Sequence, residues 1–153
     1  MIVLLSFYKG DKMVEDCCTP SGNIMILACS GGSNVGQLSN QAAVELTREG
    51  FGKMFCLAGI GGKISGFVQS EWDTENMVVL DGCPVGCAKA ILEQAKVPLK
   101  NYLGITELGI EKNKNFSLKA EDIAKVKTAV FNTCGINPAD LSPLPLKTET
   151  CCG

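Results

Sequence analysis

The segment Ile24-Met25-Ile26-Leu27-Ala28-Cys29 is a short, continuously apolar run that Gly31 and Gly32 bring to an end. A run without polar alternation suits a strand buried on both faces, the condition of a parallel sheet covered by helices. The residues after it carry a different period. Ser33 or Asn34 can cap a helix in which Val35, Leu38, Ala42 and Leu46 share one face, and Gly50 and Gly52 close that helix.

The alternation continues along the chain. Lys53 to Ala58 reads as a second strand, followed by Gly59, Gly61 and Gly62; Ile64 to Glu71 reads as a short helix and Asn76 to Leu80 as a third strand. Pro84 suits a helix start, and Cys87, Ile91 and Ala95 recur every four residues behind it. Tyr102 to Thr106 is a weaker fourth strand. Ser117 can cap a last helix in which Ile123, Val126, Val130 and Cys134 face inward before Gly135 stops it. Repeated strand-then-helix units predict an α/β, three-layer fold: a mostly parallel sheet with helices on both faces. Its strands should include Ile24–Ala28, Met54–Leu57 and Val78–Leu80.

At 153 residues the chain is the size of one domain, large enough to bury a core without staples. Residues 1–22 read as an irregular lead-in and residues 23–136 as the cysteine-rich α/β domain. Residues 137–153 form a proline-containing tail, expected to lack regular structure, that ends Cys151-Cys152-Gly153.

Charge excludes some functions. Fourteen basic residues against sixteen acidic ones leave a net charge of -2, which argues against a nucleic-acid or anionic-membrane binder. Met1 to Tyr8 is mostly apolar but far short of the roughly 20 residues a membrane span needs. Histidine is absent, which removes imidazole bases, triads and imidazole metal ligands together.

Cysteine is abundant instead, with nine in the chain, an odd number that cannot all pair internally. No basic segment or small-residue cleavage site marks the beginning as a signal peptide. The expectation is therefore a soluble, cytoplasmic protein with reduced thiols, whose partner is a metal ion rather than a nucleic acid or a membrane. In an open parallel sheet, sites form beyond the carboxyl ends of the strands. Cys29 ends the first expected strand, Cys56 lies near the end of the second, and Asp81-Gly82-Cys83 follows the third, so these cysteines can converge on one rim. Cys87 lies four residues after Cys83, a spacing that would stack both on one helical face. Cys83 would then also sit at a helix N-terminus, which favours a thiolate.

The other cysteines read more plainly. Cys134, on an apolar helical face, suits a buried packing residue. Cys17-Cys18 and Cys151-Cys152 suit exposed thiols, or an arm that folds over the rim and adds a ligand or a resolving thiol. The glycine-rich segment Ser30 to Gln37 fails as a phosphate loop of the Walker type, because Gln37-Leu38 stands where Lys-Ser/Thr is needed. It also lacks the arginine of a phosphatase loop, since Val35 occupies that place. Tight turning beside the cysteines accounts for its glycines better.

Three blocks in order carry a family resemblance: Ala28-Cys29-Ser30-Gly31 with Asn34-Val35-Gly36, then Cys56-Leu57-Ala58-Gly59-Ile60-Gly61-Gly62, then Asp81-Gly82-Cys83-Pro84 with Cys87-Ala88. Over about residues 17–135 the chain resembles the DGC-domain family, whose members are described as zinc-binding. The resemblance implies a metal or thiol site on Cys29, Cys56, Cys83 and Cys87.

Four thiolates suit tetrahedral zinc, so the first expectation is a thiolate metal-binding protein holding zinc. An iron–sulfur cluster takes the same ligands. The alternative of a different class is a thiol redox or sulfur-transfer enzyme, with Cys83 as nucleophile and Cys87 as resolving thiol. A third reading has the cysteines merely pack.

Overall fold

A computed structural model describes residues 24–72 and 76–141. The N-terminal lead-in, Cys17, Cys18, Cys151, Cys152 and most of the proline-containing tail lie outside the described residues.

Four parallel strands form one sheet in the order β2-β1-β3-β4. They are β1 (Ile24–Ala28), β2 (Lys53–Met54), β3 (Asn76–Asp81) and β4 (Asn101–Gly104). In β1 and β3 successive side chains enter two different cores, as the strand period requires. Ile26, Ala28, Val78 and Leu80 pack on one face, beneath α1 (Asn34–Arg48) and α5 (Ala120–Cys134). Leu27, Met77 and Val79 pack on the other, where Ile60 of α2 (Leu57–Gly61) and Ala88 and Leu92 of α4 (Cys87–Gln94) meet them. Phe67 and Val68 of α3 (Ser65–Trp72) flank that second core. The fold is the expected one: a parallel sheet between two helical layers.

Capping explains several helix ends. Ser33 caps α1 by accepting the Gly36 N–H, and the helix buries Val35, Leu38, Ala42 and Leu46. Helix α5 buries Val126 and Val130 and ends at Gly135, whose φ of 66° is the left-handed cap that glycine tolerates best. An ion pair ties the two helices of this layer: Lys127 meets Glu45 at 3.2 Å and also Glu49. Burial lowers the Lys127 pKa, but hydrogen bonds to Glu49 and Glu45 outweigh it and raise the value on balance.

Four local expectations give way. The second strand stops at Met54, and Leu57 begins a helix, because burying Ile60 in the lower core favours a helical turn over extended chain. The fourth strand stops at Gly104, and Ile105–Leu108 form a 3-10 turn that buries Ile105. Ser117 does not cap α5; Lys119 occupies the cap position. The tail begins with a 3-10 turn at Pro138–Asp140, which the Asn137 side chain caps.

Candidate functional site

The strand order places a switch point between β1 and β3. From β1 the chain goes first to β2 on one side and later to β3 on the other, and such reversals open a crevice beyond the strand ends. Cys29 follows β1 there, and its N–H continues the ladder onto the Leu80 carbonyl at 2.8 Å. Gly82 and Cys83 follow β3.

Three backbone segments meet tightly at this point. A Cβ on Gly82 would lie 2.7 Å from the Gly36 nitrogen, and one on Gly36 would lie 2.6 Å from the Gly31 carbonyl oxygen. Real side chains do not fit such gaps, so glycine is required by close approach. The Ser39 hydroxyl lies against the carbonyls of Cys29 and Gly36 and fixes the same loop to α1.

The turn after β3 differs from the expected helix start. Gly86 N–H bonds the Cys83 carbonyl at 3.0 Å, Gly86 has a φ of 64°, and α4 begins only at Cys87. Cys83 and Cys87 therefore do not share a helical face. Cys83 does not occupy the helix N-terminus either, because Asp81 does. Its Oδ1 accepts the Ala88 N–H at 2.8 Å and its Oδ2 the Lys89 N–H at 3.0 Å. A carboxylate against these free N–H groups complements the helix dipole. Asp81 also hydrogen-bonds the Tyr102 hydroxyl, and burial together with that carboxylate pushes the Tyr102 pKa up to about 12.

The thiols come together in part. Cys29 is buried, Cys83 half-buried and Cys87 exposed. The Cys87 thiol hydrogen-bonds that of Cys29 and lies within electrostatic reach of Cys83 and Asp81. Burial first, then Cys29, raises its pKa. Lys112 Nζ lies 3.3 Å from Cys83 Sγ. Cys56 stands at the N-cap of α2, exposed, and is not among the groups that act on Cys87. Cys134 is half-buried beside the α1–α5 core, and burial raises its pKa.

The donor chemistry fits a thiophilic ion, since soft thiolates are what zinc and iron–sulfur clusters take. The arrangement is not closed. Among the described residues, no three Cys, Asp or Glu side chains form a group that could already hold a metal ion. Ligation would require the rim thiols to turn toward one another.

Two groups at the site carry no motif signal. Lys112 reaches Cys83 from a separation of 29 residues. The role of Asp81 was within reach, because an acidic residue just before a helix is a familiar start signal.

The DGC-domain family model matches residues 25–130. A Pseudomonas aeruginosa protein named anaerobic and virulence modulator AnvM is 34% identical over 102 residues, which cover 67% of this chain and 78% of that protein. No solved structure matches. Among the described residues, no helix is long and apolar enough to cross a membrane.

Proposed function

This chain belongs to the DGC-domain family, and from that premise we propose that it is a cysteine-thiolate metal-binding protein. The ion is zinc, and its ligands are Cys29, Cys83 and Cys87, with Cys56 as the candidate fourth. The observation that carries the reading is the Cys87 thiol, which interacts with both Cys29 and Cys83 at the switch point of the sheet. Zinc accepts three thiolates plus an open position as readily as four, with Zn–S bonds of about 2.3 Å. A cytoplasmic setting would keep such thiols reduced.

Elemental analysis of anaerobically purified protein, with its absorption spectrum, tests the reading. Zinc near stoichiometry without visible bands supports it; visible thiolate-to-iron bands point to a cluster instead. Cys29→Ser, Cys83→Ser and Cys87→Ser should each lower zinc content and stability, because ligand binding is linked to folding. Cys134→Ser should leave zinc content unchanged. Full zinc retention in both the Cys83 and Cys87 variants would rule the site out.

One observation favours a second reading. The Lys112 ammonium beside Cys83 is the kind of neighbour that activates a thiol for attack on a disulfide or a sulfane sulfur. On that reading Cys83→Ser abolishes rapid alkylation at neutral pH and leaves metal content and fold intact.

A further inference from the structure

We infer that Lys112 is the counter-charge of the thiolate site, a positioning residue that acts through Cys83, and that Asn34 holds it in place. The inference rests on the metal-binding reading above and gives that site its own cation.

A lysine at an exposed position ordinarily sweeps solvent on a flexible stem. Here both chain neighbours of Lys112 are fastened. Asn34, buried at the first turn of α1, donates its side-chain amide to the Glu111 carbonyl at 2.9 Å. Its backbone N–H bonds the Asn113 carbonyl at 3.0 Å, and its Oδ1 accepts the Asn113 N–H at 2.6 Å. One asparagine thus grips the residues on either side of Lys112. Beyond it, the Asn115 N–H bonds Asn113 Oδ1 at 2.8 Å and the Ser117 N–H bonds Asn115 Oδ1 at 3.0 Å, so the loop is braced further along.

The clamp has a chemical use. Three thiolates around a divalent ion leave one negative charge uncompensated, and a single ammonium cancels it. An N–H donor on a ligating sulfur also orients that ligand. The other nearby charges are engaged elsewhere: both Asp81 oxygens hold the start of α4, and the Lys89 ammonium lies 5.9 Å from the centre of the Tyr102 ring.

Zinc affinity, measured by competition with a chromophoric chelator under anaerobic conditions, tests this. Groups around a metal's ligands are typically worth about 10–100-fold in affinity, and at an exposed position the lower end is expected. Lys112→Gln should weaken zinc binding about tenfold, with the deficit shrinking at high salt because the lost term is electrostatic. Lys112→Arg should recover most of it. Thermal unfolding of the metal-free protein should be the same in both variants. Asn34→Ala should weaken binding in the same direction, and adding Lys112→Gln to it should change little further, since the two act as one unit. Equal affinity in wild type and Lys112→Gln would overturn the role of Lys112 and leave the thiol site standing. A wild-type protein that binds no zinc would overturn both.

Discussion

Asp81 Oδ1 accepts the backbone N–H of Ala88 at 2.8 Å, which fastens the end of β3 to the start of α4. The same carboxylate bonds Lys89, so one side chain fixes where Cys87 stands relative to Cys83. Its carboxyl group is 99% removed from solvent contact in the sense that Asp81 is only 1% exposed, and any unpaired group left there is costly.

Replacing that carboxylate is the first test. Asp81→Asn keeps the size but turns an amide toward an N–H that needs an acceptor. A loss of about 1–3 kcal/mol is expected, the range for leaving a buried group unsatisfied. Urea unfolding at neutral pH measures it, and wild-type stability in this variant would refute the anchoring role.

Tyr102 gives a pH prediction. Its pKa is raised from 10.0 to about 12, by burial first and by Asp81 next. A raised folded-state value favours the protonated form in the fold. Its contribution to stability is therefore complete below about pH 10 and is lost as the pH rises toward about 12. The chain has two tyrosines, so ultraviolet titration of a Tyr8→Phe variant reports Tyr102 alone. Asp81→Asn should move that titration down, and a midpoint at the ordinary tyrosine value would contradict the contact.

The glycine contacts separate stability from site geometry. Gly82→Ala places a carbon 2.7 Å from the Gly36 nitrogen, against backbone that cannot yield cheaply. Overpacking of this kind costs about 1–3 kcal/mol. Gly31→Ala places a carbon 3.3 Å from Cys29 Sγ, a gap that a small shift of the sulfur relieves. The first variant should unfold at lower denaturant; the second should stay near wild-type stability yet bind less zinc. The opposite pattern would show that the rim tolerates side chains where the backbone meets.

Thiol reactivity provides the fourth prediction. Burial and the neighbouring Cys29 thiol raise the Cys87 pKa, so in metal-free protein Cys87 should alkylate more slowly at neutral pH than a cysteine in a short peptide. Cys29→Ala removes part of the cause and should speed it up. Mass spectrometry of partly alkylated protein resolves the positions; a rate unchanged by Cys29→Ala would mean that the two thiols do not interact.

The legible parts of the chain were those whose surroundings are simple. Strands β1 and β3 are covered on both faces, so their residues form unbroken apolar runs. The start of α4 was misread because Pro84 favours a helix opening, while the left-handed Gly86 and the Asp81 carboxylate delay it to Cys87. Leu57–Gly61 reads as the end of a strand and a glycine turn, and becomes helical only because Ile60 finds a core to enter. At the site, strand ends pointed to Cys29 and Cys83. Lys112 was invisible, since its place depends on a clamp from Asn34 that spans 77 and 79 residues of chain.

The meeting of Gly31, Gly36 and Gly82 has a consequence for anyone who would graft this site onto another scaffold. Main chain touching main chain sets how far apart the loops that bear Cys29 and Cys83 can stand. Transplanting the cysteines alone would move the ligands without their ruler. A faithful copy must carry the glycines first, and a host sheet whose neighbouring strands stand too far apart to let such loops touch could not accept it.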